Sequence, residues 1–404
     1  MLTKLESHAA TRRDENNLKF GDVMKLRVAV VSGLMTAFSM SAHAQSSVTL
    51  YGTIDDGVNY VSNEGGGKAV QMVSGTLFGN RLGFKGTEDL GGGTNAFFTL
   101  ENGYDSNTGR LGQGGLLFGR QALVGLSGSF GALTLGRQYD ELSGEYLGLL
   151  EAGDNFAGYL GAHAADVDNL NDTYRINNAI KYKTPDFHGF SMAVLYGFGG
   201  VPGDFAANRV ISVGGRYVLG GVTFAAAYEK INDPGVGLLG ATSSPSPSAP
   251  FATALPTPIW GGYQSASTLQ IWGAGATYAI GNATLRFVYT NTRFEDVAQT
   301  LNTPYLGQAV FNNYEANGQY QFTPAFNVGL GYTYTDAPRA KYQQVNLGAQ
   351  YYLSKRTTLY VIGVYQHASG IDSYGAPAVA QINEVAPSST PNQFLARAGL
   401  LFKF

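Results

Sequence analysis

The chain of 404 residues contains no cysteine. That excludes a disulfide scaffold and any cysteine-ligated zinc or iron–sulfur centre. Charge is also scarce: Asp, Glu, Lys and Arg make up 14% of the chain, against about 25% in ordinary soluble domains. The formal net charge is −3. Without a basic excess there is no electrostatic footprint for nucleic acid, and no nucleic-acid partner is expected. Beyond residue 44 no long apolar run occurs, so a bundle of membrane helices, which needs about 20 consecutive apolar residues, is excluded. Three histidines follow residue 44: His163, His188 and His367. They fall in a loop, a turn and a strand end, without metal-ligand spacing. The nucleophile motif Gly-x-Ser-x-Gly is missing, and GGGK at 65–68 lacks the spaced glycines and following helix of a phosphate-binding loop. Neither enzyme activity, cofactor nor metal site is expected. Divalent cations held by exposed carboxylates of the long loops are the competing reading, set against the plain fact that solvated loops are commonly acidic.

What the chain does have is glycine (55), tyrosine (25) and phenylalanine (23), with 44% hydrophobic residues. That much apolar and aromatic content excludes a disordered chain. One apolar stretch, 28–42, follows Lys25 and Arg27 and precedes Ala42-His43-Ala44. A charged segment, a short apolar run and a small-x-small site read as a cleaved secretory signal. Met24 is its natural start, which gives three segments. Residues 1–23 form an over-called extension, 24–44 the signal peptide, and 45–404 one mature domain.

From residue 45 onward, side-chain polarity alternates with a period of two. Val328, Leu330, Tyr332 and Tyr334 alternate with Asn327, Gly329, Gly331 and Thr333. Val345, Leu347, Ala349 and Tyr351 alternate with Gln344, Asn346, Gly348 and Gln350. Strands of this kind place one face in an apolar medium and the other in a polar one. Sixteen such segments are predicted: 48–60, 76–88, 94–104, 117–129, 132–139, 175–184, 190–198, 209–219, 222–231, 267–280, 283–295, 312–322, 326–336, 342–353, 357–367 and 392–404. Seven tight turns rich in Gly, Pro, Asn or Ser alternate with eight longer loops near 61–75, 105–116, 140–174, 199–208, 232–266, 296–311, 337–341 and 368–391. Short turns at one end and long loops at the other describe an up-and-down meander. A β-sandwich would bury both inner faces, but here the second face is Gly, Thr, Asn, Gln and Arg. The reading is an all-β transmembrane antiparallel barrel of sixteen strands, greasy outside and wet inside. The Ser/Pro-rich stretch 241–258 is a loop within that single domain.

The order of landmarks resembles a known family. The mature chain opens SSVTLYG (46–52) and continues NRLGFKGTEDLG (80–91), FGRQALVGL (118–126), LGRQYD (135–140) and RINNAIKY (175–182). It ends LLFKF (400–404). This set is similar to the Gram-negative general-diffusion porins, particularly their neisserial and β-proteobacterial branch. The resemblance implies a homotrimer in the cell outer membrane, in contact with lipid and lipopolysaccharide, passing small hydrophilic solutes and ions. It also implies a third loop folded into the lumen, its acidic groups facing an arginine cluster on the wall. By matched motif the wall positions are Arg81, Arg120 and Arg175, with Arg137 as a further basic position. The terminal Phe404 matches the family's assembly signal.

Alternation tests these positions independently. Leu82 and Phe84 share one face, so Arg81 and Lys85 point inward. Ile180 and Tyr182 share one face, so Arg175 points inward with Ala179 and Lys181. Arg120 shares parity with Val124 and Leu126, and Arg137 with Leu133 and Leu135. Both therefore need a bulge, or a strand that does not face lipid, to reach the lumen. The third loop carries eight Asp or Glu residues between 140 and 174 and no Lys or Arg. Glu145, Glu151 and Asp154 are its expected constriction carboxylates. Rival readings are a substrate-selective channel, a barrel enzyme and an adhesin built on the long loops.

Overall fold

The structure, a computed structural model, describes residues 47–303 and 306–404. The expected extension and signal peptide lie outside the described residues. The strands, in chain order, are β1 (Ser47–Glu64), β2 (Gly67–Ser74), β3 (Arg81–Gly91), β4 (Thr94–Gly103), β5 (Gln121–Gly128), β6 (Gly131–Gln138), β7 (Ile176–Lys183), β8 (Phe190–Gly197) and β9 (Val210–Leu219). They continue as β10 (Val222–Asn232), β11 (Ala266–Ile280), β12 (Ala283–Val297), β13 (Gly307–Thr323), β14 (Phe326–Asp336), β15 (Ala340–Tyr352), β16 (Thr357–Gly370) and β17 (Asn392–Lys403). Every pairing is antiparallel; apart from β1 with β3 they join chain neighbours, and β17 returns to pair with β1, from Thr53↔Lys403 to Val61↔Leu395. Among the described residues no strand edge is left for lipid to meet, which is the condition for crossing a bilayer with strands.

β2 and β3 lie end to end along the same edge of β1. Ser74 is opposite Asp56 and Arg81 is opposite Thr53. They are two halves of one barrel strand, so the closed barrel has sixteen. Residues 75–80 bulge out of the ladder between them. The Asp55 carboxylate holds this bulge by accepting from the backbone N–H of Leu77 (2.5 Å) and Phe78 (2.9 Å). Asp55 is in turn fixed by Tyr360 Oη (2.5 Å) and Arg397 Nη2 (3.5 Å).

Two expected long loops are tight turns instead. The segment 61–75 contains the end of β1, a turn at Gly65 and Gly66, and all of β2. Both glycines have positive φ, 61° and 104°, which suits a two-residue hairpin turn. The connection after β14 is likewise short, running through 337–339. The seven expected tight turns stand where the sequence placed them, including Gly92 with Gly93, Gly220 with Gly221 and Gly281 with Asn282.

Pleating sorts the faces. Leu330, Leu347, Val361 and Leu400 are exposed on the outer surface. Asn327, Thr333, Gln344, Asn346 and Gln350 face inward and are buried. They are buried because the third loop, residues 139–175, occupies the lumen beside them. Its Leu142, Leu147, Leu150 and Phe156 form apolar clusters with wall residues such as Phe294, Phe311 and Ile362 and with Trp260 of the fifth loop. The glycines of the inner wall make room for it. A methyl group at Gly329 or Gly348 would collide with the Phe156 ring, and one at Gly275 with Leu150. Much of the glycine that the alternation places on inner faces thus serves to seat a loop.

Candidate functional site: the constriction of the lumen

The third loop is built from short helical turns, at Gly148–Leu150, Gly153–Ala157 and Gly158–Gly161. Most of its carboxylates are spent on its own architecture. Asp140 accepts from the N–H of Leu142 (2.8 Å) and Ser143 (2.9 Å), and from Asn169 Nδ2 (2.6 Å), tying the two legs of the loop together. Asp166 accepts from the N–H groups of Asn171 and Thr173, both at 3.0 Å. Burial, with Asp168 as a like charge nearby, pushes its carboxyl up to about 8.

A second network anchors the loop to the wall. His163 places Nδ1 2.6 Å from Asp168 Oδ2 and Nε2 3.0 Å from Glu315 Oε2 on β13. Asp168 also accepts from Thr290 on β12 and from Asn313 Nδ2 at 3.1 Å. Burial opposes a charge on His163, but Asp168, Glu151 and Glu315 outweigh it and hold the imidazole protonated well above its usual range. Glu151, His163 and Glu315 are close enough for a shared cation. Their atoms are already paired with hydrogen-bond donors, including His163 N–H to Glu151 (2.8 Å) and Ala152 N–H to Glu315 (2.7 Å).

The expected acidic residues therefore divide. Glu151 is fully buried inside the loop, accepting from His163 N–H and from Asn171 Nδ2 (3.0 Å), and does not face the arginines. Glu145 forms an ion pair with Lys183 on β7, both partners about a third exposed. Asp154 is the expected acid that reaches the aperture. It lines one small gap with Arg81, Tyr159 and Asp172. Asp154 is open to the lumen, but the protein crowded around it desolvates it in part and Asp172 adds a like charge, which raises its carboxyl to about 6 against the pull of Arg81, Arg286 and Lys403.

The basic residues divide as well. Arg81 opens β3 on the inward face, with Nε donating to Gly79 O (3.0 Å). It stands in register with Thr53, which on its other side faces Lys403. Directly paired residues share a face, so Arg81, Thr53 and Lys403 form a lumenal row over three neighbouring strands. Among the described residues neither Arg81 nor Lys403 has an ion-pair partner; the Lys403 ammonium lies 4.2 Å from the Phe78 ring centre. Arg286 on β12 sends its field to Asp154 from another part of the wall.

Arg120 and Arg175 meet at Tyr139. Both guanidinium groups lie over its ring, at 5.8 and 5.0 Å. Both donate to its hydroxyl, at 2.6 and 3.4 Å. Arg120 is buried and paired with Glu101 on β4 (2.9 Å), which also accepts from Tyr51 Oη (2.8 Å). Arg120 escapes the parity rule because it precedes β5, where the pleat does not yet dictate its direction.

Arg175 turns inward for a different reason than alternation suggests. The register slips between Gly136 and Gln138, leaving Asn177 and Asn178 opposite Arg137. Asn178 takes the left-handed conformation, φ 50°. This bulge reverses the parity of β7 at Ile176, and Arg175 lies beyond the strand end, where the loop directs it to Tyr139. The bulge sits on β7, so it does not redirect Arg137, which keeps the outer parity of exposed Leu135. Its partners are Gly119 O (2.8 Å), Arg175 O (3.5 Å) and Asn177 Oδ1 (2.6 Å), so it braces the loop ends outside the Tyr139 cluster. Lys181 faces inward but is paired with buried Glu141 of the loop at 2.9 Å.

Sequence reasoning missed Glu101, Tyr139, Tyr159, Asp172, Arg286 and Lys403. Some signals were present. Tyr139 follows Arg137 within LGRQYD, and Lys403 has the inward parity between outer-face Phe402 and Phe404. Phe404 zips the chain end to β1, exchanging backbone hydrogen bonds with Gly52 at 3.1 Å in both directions.

Comparison with known proteins places this geometry in context. A model of the Gram-negative porin family matches residues 29–370. Outer membrane porin protein 32 of Delftia acidovorans is 31% identical over 349 residues, covering 83% of this chain and 88% of that protein. An outer membrane porin protein of Bordetella pertussis is 35% identical over 233 residues, 51% of this chain and 60% of the relative. Among solved structures, the anion-selective porin from Comamonas acidovorans superposes with a TM-score of 0.67 at 25% identity, covering 89% of this chain and all of that one. These relatives are channels rather than enzymes. A closed barrel narrowed by its own third loop, with relatives of this kind across its length, belongs to the Gram-negative porin family of the outer membrane.

Proposed function

We propose that the chain forms a water-filled general-diffusion channel for small hydrophilic solutes and ions, assembled as a homotrimer, with a preference for anions. The long loops face outward and the short turns face the periplasm, as in other outer-membrane barrels. The observation that carries this reading is the lumenal row of Arg81 and Lys403, neither of them ion-paired among the described residues, acting on Asp154 at the gap. Charges of opposite sign on two sides of a narrow, low-dielectric aperture set up a field across the path of transport. Water and polar solutes align in that field; an apolar solute would have to displace ordered water without replacing its interactions. Arg81, Arg286 and Lys403 all act on Asp154, three cations against it and Asp172, and anions meet the lower barrier.

Arg120, Arg175 and Tyr139 act as a clamp that keeps the loop where it narrows the lumen. Glu101 neutralises Arg120 in that role. Reconstitution into planar bilayers tests the reading. Conductance rising in steps of three, with a reversal potential in a KCl gradient of the sign set by chloride, is the expected result. A potassium-selective reversal potential would overturn the anion preference, and single independent steps would overturn the trimer.

A further inference from the structure

On the long-loop side of the constriction lies a separate cleft of about 370 Å³, walled by the second, third, fifth and eighth loops. It touches the aperture, since Asn171 and Asp172 line both. One side carries the Arg175 guanidinium and the Asp172 carboxyl; the eighth loop contributes Glu384. The fifth loop supplies half-buried Leu255 and exposed Pro256 as an apolar wall.

The fold uses these polar groups only in part. Arg175 is 4% exposed and donates from Nη1 to Asp172 O (2.7 Å) and from Nη2 to Tyr139 Oη (3.4 Å), yet among the described residues its Nε has no hydrogen-bond partner, and the buried atoms Asn171 Oδ1 and Asp172 Oδ1 have none either. A buried donor and two buried acceptors without partners are costly unless something else satisfies them. Glu384 is exposed at the mouth of the cleft; protein crowded around it pushes its carboxyl up, and the Arg175 guanidinium opposes that push.

The charge pattern selects the ligand class. A simple anion attracted to Arg175 meets the like charges of Asp172 and Glu384. A simple cation attracted to those carboxylates meets Arg175. A small molecule carrying both charges fits both, and an aliphatic side chain covers Leu255 and Pro256. The volume lies within the range of small-molecule sites. We propose that this cleft is a recognition site for small zwitterions, namely α-amino acids with an aliphatic side chain, held by Arg175 at the carboxylate and by Asp172 and Glu384 at the ammonium before they enter the constriction. The proposal rests on the channel reading for its route, but the site itself is a binding site and can be measured without current.

Three probes share one isobutyl side chain: L-leucine, 4-methylpentanoate without the amine, and 3-methylbutylamine without the carboxylate. Calorimetry on the detergent-solubilised trimer should show leucine binding at least tenfold more tightly than either truncated probe. Glu384→Gln should reduce leucine affinity tenfold or more and leave 4-methylpentanoate unweakened. In single-channel recordings, leucine added from the long-loop side should produce concentration-dependent current interruptions that Glu384→Gln shortens. Equal affinity for leucine and 4-methylpentanoate, or leucine binding indifferent to Glu384→Gln, would overturn the site even in a conducting channel. Leucine binding by calorimetry in a protein that passes no current would instead overturn the channel reading and leave the site standing.

Discussion

Arg120 and Arg81 come from similar stretches of sequence, each within two residues of a glycine near a strand start, yet the barrel puts them to opposite uses. Arg120 is 2% exposed, paired with Glu101 and hydrogen-bonded to Tyr139 and Tyr159. Arg81 has one backbone partner, Gly79, and opens onto the gap beside Asp154. A guanidinium ion-paired in a dry site holds parts together; one with no ion pair among the described residues, at a wet aperture, acts on what passes. The same division runs through the acids of the third loop, where Asp140, Glu151 and Asp166 stitch the chain and Asp154 faces the path.

The largest test of that contrast is Arg120→Ala. It strands the Glu101 carboxylate in a buried site, and losing one partner of such a pair costs about 3–5 kcal/mol. A lowered unfolding temperature in detergent is the expected readout, whereas Arg81→Ala should stay within about 0.5 kcal/mol of the parent. Equal losses in the two variants would erase the distinction.

Next in size is Gly329→Leu. The new side chain would occupy the place of the Phe156 ring and push the third loop from its seat, so single-channel conductance should rise. Unchanged conductance would mean that the loop does not limit the current.

Arg81→Ala should then lower the chloride-to-potassium permeability ratio severalfold, read from reversal potentials, and Arg175→Ala should shift it the same way while also loosening the loop. Ratios unchanged in both would remove them from the aperture.

The smallest effect is titration of Asp154. Its carboxyl ionises at about 6, so as pH falls through that value the negative charge facing Arg81 is lost. Anion preference should therefore rise from pH 7 to pH 5. Asp154→Asn should show the acid-side preference at both pH values; a pH response that survives the substitution assigns it to another group.

The strands were legible because pleating converts a period of two directly into two faces, and polarity marks which face meets lipid. β2 escaped notice: apolar Val73 interrupts the alternation of its eight residues, and the turn before it is glycine that also suits a loop. Arg81 was legible for the same reason as the strands, since it sits inside a regular ladder. Arg175 was placed inward by a parity argument that the bulge at Asn177 and Asn178 breaks; the loop, not the pleat, aims it. Glu151 and Asp154 could not be told apart in sequence, because what distinguishes them is the company of His163, Asn171 and Arg81, brought together by folding the loop back into the barrel.

Read alone, the chain of amino acids determined the architecture: alternation, turn chemistry and the scarcity of charge admit a membrane barrel and little else, because they act between near neighbours. Which charges are free was decided only in three dimensions. Whether an arginine or carboxylate is neutralised depends on partners tens to hundreds of residues away, and on whether the lumen around it is filled by the loop or left to water.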